Sequence, residues 1–197
     1  IVTEEVLLKL AKELRASTGQ KNLCLAGGVA LNCVANGVLL REKIFDSIWV
    51  QPASGDAGGA IGAALAAYYL MLKRPRIVSA GDQMNGSYLG PSFSQKEIEC
   101  RLRKVGAVFK SLSENDMIEE AAKALAEGKA MGWHQGRMEF GPRALGGRSI
   151  LANPQLPNMQ QLLNLKVKYR ESFRPFAPSV LYEKTLEWFD LDVKSPY

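Results

Sequence analysis

The chain has 197 residues, of which 47% are hydrophobic and 23% charged, and its formal net charge is +5. This composition is typical of a globular protein, and no apolar stretch is long enough to span a bilayer. The three cysteines lack the spacing of metal ligands: Cys24, Cys33 and Cys100. We therefore predict a cytoplasmic protein with no membrane partner, whose thiols are reduced and mostly buried.

The first part of the chain alternates short strands with helices. Strands are predicted at Leu23–Ala26 and Ile48–Val50, and each leads through glycine or a turn into a helix. The predicted helices cover about residues 7–14, 29–40 and 57–73. The third helix is rich in glycine and alanine, which allow a helix to lie close to a sheet or to a ligand.

A change of composition divides the chain. Residues 74–91 are rich in Pro, Gly, Ser, Asn and Asp, which indicates a linker. Beyond it, Ser94 and Glu97 have the spacing of a capping box at the start of a helix that ends at Gly106. The later predicted elements are a strand at Val108–Leu112, a helix at Asn115–Glu127 and a strand at Ala130–Trp133. The pattern predicts two α/β units, with domains at residues 1–74 and 91–197 and a linker at 75–90.

Basic residues are concentrated between His134 and Phe176. This segment holds seven Lys/Arg against two acids, Glu139 and Glu171, and its excess of +5 equals the net charge of the whole chain. Guanidinium groups bind phosphate and carboxylate oxygens in a bidentate manner, and glycine and proline give the segment a fixed shape. We therefore favour an anion pocket over a solvated loop with paired charges. The bases are Arg137, Arg143, Arg148, Lys166, Lys168, Arg170 and Arg174.

Two kinds of ring in the same segment have alternative roles. His134, the only histidine, follows an apolar strand, where it is either structural or able to bind an anion or transfer a proton. Three phenylalanines lie beside glycine or proline, or within a turn-like stretch. We predict that they are core residues rather than platforms for stacked bases: Phe140, Phe173 and Phe176.

Glycines also follow the two strands of the first unit. Gly27-Gly28 ends the first strand, and Ser54-Gly55-Asp56 precedes the next helix. Backbone N–H groups at such turns and at helix N-termini can bind phosphate, so the two turns together could form a nucleotide cleft. The alternative is that they are only tight turns with Asp56 as a helix cap. Asn32, which we place half a turn into its helix, faces either this cleft or solvent.

Four long motifs together resemble the O-carbamoyltransferases, which include nodulation-factor, cephamycin and aminoglycoside carbamoyltransferases. The resemblance runs from about residue 20 to the end of the chain. The motifs are LAGGVALNCVANG (Leu25–Gly37), QPASGDAGGAIGAAL (Gln51–Leu65), GWHQGRMEFGPRALGGRSIL (Gly132–Leu151) and KYRESFRPFAPSVL (Lys168–Leu181).

The resemblance implies a two-domain α/β architecture and a two-step reaction. The first domain would be the C-terminal half of an actin/sugar-kinase-like (ASKHA) domain, and the second a YrdC-like domain, both incomplete. The YrdC-like domain of the family forms carbamoyl adenylate from carbamoyl phosphate and ATP. The actin-like domain transfers the carbamoyl group to the hydroxyl of a small molecule such as a sugar or an antibiotic.

Site residues follow by match to the family motifs. Nucleotide binding in the actin-like domain would fall to Gly27, Gly28, Asn32 and Gly55, with Asp56 as a ligand of Fe(II) or another divalent metal. Catalysis would fall to His134, Arg137, Arg143 and Arg148, and binding of carbamoyl phosphate and ATP to Ser149, Lys168, Arg170 and Arg174.

The sequence departs from the family pattern in one important respect. The paired metal-binding histidines of the family, spaced HxxxH, lie in an N-terminal half that these residues do not include. Ile1 leads directly into a helical pattern, and the chain stops at Tyr197 without a closing element. We therefore expect a fragment that is inactive alone and that needs the N-terminal half of the same protein as its partner.

Two other functions are consistent with parts of the pattern. The first is a hydrogenase-maturation carbamoyltransferase, although its domain order differs and its zinc-finger cysteines are absent from this sequence. The second is a non-catalytic module whose basic loops bind phosphate or nucleic acid. The concentration of charge in a glycine-rich segment, rather than in a tail or a helical stripe, does not favour nucleic acid.

Overall fold

A computed structural model describes residues 2–193, 195 and 197. The chain divides into two compact units. The first comprises the chain up to Gly90, together with Met138–Leu145 and Tyr197. The second comprises Pro91–Arg137 and the described residues from Gly146 to Ser195. Part of the basic segment thus packs in the first unit, although it lies far from the rest of that unit in sequence.

The first unit contains a parallel pair of strands with helices after each strand. Strand β1 pairs with β2 over four residues, from Asn22 with Ser47 to Leu25 with Val50. Each strand ends in a loop that leads into a helix, as the sequence predicts for an α/β unit. The elements are α1 (Val2–Thr18), β1 (Asn22–Leu25), α2 (Cys33–Arg41), β2 (Ser47–Val50) and α3 (Asp56–Ala66), and α3 continues as a π-helical turn at Ala67–Met71.

The core of the first unit lies between its strands and its first two helices. The buried cluster takes one residue from α1, one from β1, one from α2 and one from the loop before β2: Ala11, Leu23, Leu39 and Phe45. Burial of such side chains is the main favourable contribution to folding. The core therefore holds the ends of β1 and β2 side by side.

The second unit contains an antiparallel pair of strands and several helices. Strand β3 pairs with β4, from Met131 with Leu151 to His134 with Arg148. The elements are α4 (Gln95–Lys104), α5 (Glu114–Ala126), β3 (Met131–His134), β4 (Arg148–Leu151), α6 (Met159–Leu162) with a π-helical turn at Leu163–Val167, and α7 (Thr185–Trp188). The predicted mixed α/β class is confirmed, and so is the capping box of Ser94 and Glu97.

Three predicted elements differ from the structure. No strand forms at 108–112. Val108 there is fully exposed, and no strand of the described chain pairs with this segment. The helix predicted at 29–40 is broken, because Gly28–Leu31 forms a 3₁₀ turn and α2 begins only at Cys33. Strand β4 was not predicted, since its polar start after two glycines is typical of a loop.

The predicted burial of several side chains is wrong. All three cysteines are exposed. Phe173 is also exposed, while Phe140 and Phe176 are only partly buried. In the described residues, no helix is long and apolar enough to cross a membrane.

Candidate functional site

The loop that follows β2 is the point where the two glycine turns meet. The N–H of Gly27 donates to the carbonyl oxygen of Ser54 at 2.7 Å, which joins the end of β1 to the end of β2. Gly27 has φ +102, a conformation that favours glycine. Gly58 of α3 lies so close to this loop that a Cβ there would stand 2.0 Å from the Ala53 carbonyl oxygen. The loop therefore fixes both turns and the start of α3.

The centre of the basic segment packs on the same loop. Gly141 has φ +135, and a Cβ there would stand 3.0 Å from the carbonyl oxygen of Pro52. The N–H of Phe140 donates to the Ser87 carbonyl oxygen at 2.7 Å, so a second loop holds the segment as well. Arg143, which this segment carries, is exposed. The structure therefore brings Arg143 into the unit that holds the glycine turns.

Glu139 is a buried acid of this site. It is 5% exposed, and its Oε1 accepts the N–H of Leu145 at 2.9 Å. This bond closes the turn that contains Pro142 and Arg143. Only the short separation between the acid and the turn could have indicated this role.

The start of α3 leaves polar groups available to a ligand. Gly55 is the N-cap and provides no capping side chain, and Asp56 is exposed in the first turn. Ser54 Oγ is buried and has no hydrogen-bond partner among the described residues. Unpaired N–H groups at a helix N-terminus carry a partial positive charge that favours an anion. A phosphate oxygen could therefore bind at this end of α3.

Asn32 has a different position from the one predicted. It is the N-cap of α2, and its Oδ1 accepts the N–H of Ala35 at 3.2 Å. The prediction that it lies half a turn inside the helix is wrong, because the 3₁₀ turn at Gly28–Leu31 precedes α2. Around Gly28 and Gly55, an added Cβ would meet nothing within 4 Å, so this edge of the unit is open.

In the second unit, β-sheet pairing brings two of the predicted residues, His134 and Arg148, onto one face and places Ser149 on the other. His134 and Arg148 are cross-strand partners, and Trp133 is paired with Ser149. Directly paired residues have side chains on the same face of a sheet, about 5 Å apart at Cβ. His134 is exposed and Arg148 partly buried, while Arg137 is exposed in the bend after β3. A histidine beside a guanidinium is suited to binding an anion.

The remaining predicted basic residues lie in the loop after the π-helical turn Leu163–Val167. Lys168 is exposed, whereas Arg170 is partly buried and donates from Nε to Asn164 Oδ1 at 2.6 Å. Arg174 donates from Nε to Glu171 Oε2 at 2.8 Å. The pKa of Glu171 is lowered, first by a hydrogen bond from its own N–H and then by Arg174. Arg174 is thus already paired with a charged acid.

The described residues do not fit a complete metal site. Among them, no three His, Cys, Asp or Glu side chains lie close enough together to hold an ion. Asp56 therefore offers a single carboxylate, and one ligand is too few to hold Fe(II) or another divalent metal. Its role as a metal ligand stays a prediction.

Two family models match most of this chain in sequence order. The model described as Carbamoyltransferase N-terminus matches residues 1–65, and the one described as Carbamoyltransferase C-terminus matches residues 122–197. This chain belongs to the carbamoyltransferase family. Both glycine turns lie within the N-terminal match, and the whole basic segment lies within the C-terminal match.

Curated relatives match almost the whole chain. An uncharacterised protein of Synechocystis sp. is 58% identical over 100% of this chain and 32% of its own length. Nodulation protein NolO of Bradyrhizobium diazoefficiens is 43% identical over 95% of this chain and 34% of its own length. Nodulation protein NolNO of Sinorhizobium fredii is 44% identical over 95% of this chain and 27% of its own length. The chain thus spans between about a quarter and a third of the length of these relatives.

Proposed function

We propose that this chain is part of an ATP-dependent O-carbamoyltransferase. The observation that carries the proposal is the match of both carbamoyltransferase family models, in order, to one chain. In this proposal residues 1–74 belong to an actin/sugar-kinase-like domain and residues 91–197 to a YrdC-like domain. The protein works in the cytoplasm, where ATP is available, and the activity belongs to the whole protein rather than to these residues alone.

The reaction proceeds in two balanced steps. Carbamoyl phosphate, water and ATP give carbamoyl adenylate, inorganic phosphate and pyrophosphate. The oxygen of an acceptor hydroxyl then forms a bond to the carbamoyl carbon, AMP leaves and the hydroxyl proton passes to a base. The acceptor is a small molecule such as a sugar or an antibiotic.

The basic residues of the second unit would handle the phosphates. His134 and Arg148 are paired across two strands with their side chains on one face, and such a pair can bind a phosphate group. Ser149, next along β4, is on the opposite face. Charge that develops on phosphate oxygens is best stabilised by cations already in place. Arg137 and Lys168 are exposed and can add further positive charge, and Arg170 offers a fixed guanidinium.

The glycine turns of the first unit would handle a nucleotide. Gly27, Gly28 and Gly55 lie where the ends of β1 and β2 are joined, beside the N-terminus of α3. The hydroxyl of Ser54, which has no hydrogen-bond partner in the described part of the chain, supports this proposal because it supplies a buried polar group at the same loop. Asp56 provides one carboxylate toward a divalent metal, and the remaining ligands would have to come from outside the described residues.

Substitution of Arg148 tests the proposal. In the natural full-length protein, we expect Arg148→Ala to reduce carbamoyl-phosphate-dependent release of pyrophosphate from ATP by about 100-fold or more, because a preorganised cation is lost from the phosphate site. Arg143 lies in the first unit with the glycine turns, so Arg143→Ala tests the proposed nucleotide site there, and we expect it to reduce pyrophosphate release as well.

The control is Lys104→Ala, which removes an exposed cation on α4, away from the strands that pair His134 with Arg148. It should leave pyrophosphate release unchanged. Unchanged release in Arg148→Ala would overturn the proposed phosphate site of the second unit.

A further inference from the structure

One buried amide, Asn164, organises the loop that carries two of the basic residues. It lies in the π-helical turn Leu163–Val167 and is 0% exposed. Its Nδ2 donates to the carbonyl oxygens of Ser172 at 3.0 Å and Arg174 at 2.8 Å. Its Oδ1 accepts from Arg170 Nε at 2.6 Å. Both ends of the buried amide are therefore used to hold this loop.

The guanidinium of Arg170 is held from a second direction as well. Its carbon lies 5.0 Å from the centre of the Phe176 ring, in the geometry of a cation–π contact. In the part of the chain that the structure describes, neither terminal nitrogen of Arg170 has a hydrogen-bond partner. A guanidinium fixed at Nε and on one face presents its two terminal N–H groups as a fork. That fork matches two oxygens of one phosphate group.

The loop carbonyls are directed toward the helix rather than toward a ligand. Gln160 Nε2 donates to the carbonyl oxygens of Phe173 and Arg174, each at 3.1 Å. Asn164 Nδ2 donates to the carbonyl oxygen of Ser172, and it donates together with Gln160 to that of Arg174. Carbonyl oxygens carry partial negative charge and repel an anion. Because these three consecutive carbonyls accept hydrogen bonds from side-chain amides, they do not weaken the attraction between Arg170 and an anion.

We propose that Asn164 is a positioning residue for phosphate binding. It fixes Arg170 so that the terminal fork of the guanidinium binds two oxygens of a phosphate group, which belongs either to carbamoyl phosphate or to ATP. The identity of these two substrates rests on the proposed function. The fork itself rests on the contacts of Asn164, Arg170 and Phe176.

A double-mutant cycle on the 197-residue chain tests whether Asn164 acts through Arg170. The affinity for inorganic phosphate is measured by NMR titration for wild type, Arg170→Ala, Asn164→Ala and the double variant. We expect each single change to weaken binding by about 10-fold or more, because a hydrogen bond to a charged group is lost or misplaced. The double variant should be no weaker than Arg170→Ala. Asn158→Ala, an exposed change beside α6, should bind as wild type does.

Two results would overturn the inference. The first is a loss of phosphate affinity in the double variant that equals the product of the two single losses. The second is a phosphate affinity that Asn164→Ala leaves unchanged. Titrations with carbamoyl phosphate and ATP then identify the source of the phosphate. A chain that binds inorganic phosphate through this fork but prefers neither substrate would contradict the proposed function and retain the role of Asn164. Binding of none of the three ligands would contradict both.

A second measurement needs no variant, so it also covers the case in which Asn164→Ala fails to fold. In the wild-type chain, we expect the Nε–H proton of Arg170 to exchange slowly with water, because it is bonded to a buried acceptor. Added phosphate should shift the terminal Nη resonances. Rapid exchange of this proton, or Nη resonances that phosphate does not move, would overturn the proposal.

Discussion

At the scale of single residues, two glycines owe their positions to one loop. Gly58 approaches the carbonyl oxygen of Ala53, and Gly141 approaches that of Pro52. These glycines come from motifs more than eighty positions apart in sequence. Their shared neighbour explains why both motifs need a residue without a side chain at these points. Close approach, rather than contact with a ligand, is sufficient reason for glycine here.

Replacement of Gly58 by alanine should destabilise the first unit. The new Cβ would stand 2.0 Å from the Ala53 carbonyl oxygen, so α3 or the loop would have to shift. We expect a loss of about 1–3 kcal/mol in the free energy of unfolding, which is typical of overpacking. Chemical denaturation followed by circular dichroism measures this loss.

The matched control is Gly59→Ala, one position further along α3. An added Cβ there meets nothing within 4 Å. Because alanine favours a helix over glycine, we expect no loss and a gain of up to about 1 kcal/mol. Equal effects of the two substitutions would show that the close contact at Gly58 does not limit the stability of the unit.

The sequence allowed the residue types of the site to be predicted better than their partners. Gly27, Gly55 and Asp56 do lie at the joined ends of β1 and β2, because tight turns between strand and helix have a local signature. The burial of Glu139 and the role of Asn164 could not be predicted. Both depend on backbone groups that are brought near by the fold, and an isolated acid or amide in a sequence gives no sign of that.

At the scale of elements, α4 begins with a capping box that links its stability to pH. Glu97 Oε2 accepts the Ser94 N–H at 2.8 Å, and Ser94 Oγ accepts the Glu97 N–H at 3.4 Å. The hydrogen bonds from the Ser94 side chain and backbone hold the pKa of Glu97 below its ordinary value. Since the folded state favours the charged carboxylate, the box stabilises the helix fully above that value. The stabilisation is lost as the pH falls through the lowered pKa.

This linkage predicts a site-specific titration. The amide proton of Ser94, which is bonded to the Glu97 carboxylate, should change its NMR chemical shift with a midpoint below 4.5, the ordinary pKa. Glu97→Gln keeps an acceptor for this amide but cannot titrate, so the shift should become independent of pH.

The control for this titration is Glu119→Gln on α5, an exposed change that should leave the Ser94 titration as it is in wild type. A Ser94 amide that titrates equally in wild type and in Glu97→Gln would exclude Glu97 as its partner.

The elements that the sequence predicted well are those with local signals. Strands β1, β2 and β3 are short apolar runs that end near a glycine or a turn, and α4 and α5 have polar caps and apolar periodicity. Strand β4 has neither signal, because Arg148 and Ser149 follow two glycines. Its existence depends on pairing with β3. The segment 108–112 shows the opposite case, since its alternating pattern has no partner strand in the described chain.

At the scale of the whole molecule, the positive charge is less available than the composition suggests. The bases of residues 134–176 divide between the two units, because Arg143 belongs to the first. Arg174 forms an ion pair with Glu171, and Arg170 is tied to Asn164 and Phe176. This arrangement differs from a basic stripe along one helix, which is typical of proteins that bind nucleic acid by charge alone.

We therefore expect the chain not to form a saturable complex with duplex DNA. With a labelled 20-base-pair duplex at about 0.15 M salt, fluorescence anisotropy should show no saturation up to about 10 μM chain, the weak range of non-specific binding. A basic peptide of equal net charge serves as the positive control. The opposite result would be saturable binding with a steep salt dependence. If the logarithm of the association constant fell with the logarithm of the salt concentration at a slope steeper than about −5, a nucleic-acid-binding module would be favoured instead.

The packing of Met138–Leu145 against the loop after β2 has a consequence for how the protein is made. The chain leaves the ribosome from its N-terminus, so the first unit lacks one of its segments until residue 145 has left the ribosome. By that time the whole stretch Pro91–Arg137 has emerged and must be looped out between two parts of the same unit. Closing so long a loop is entropically costly and slow, which makes the arrival of this segment a late event in folding.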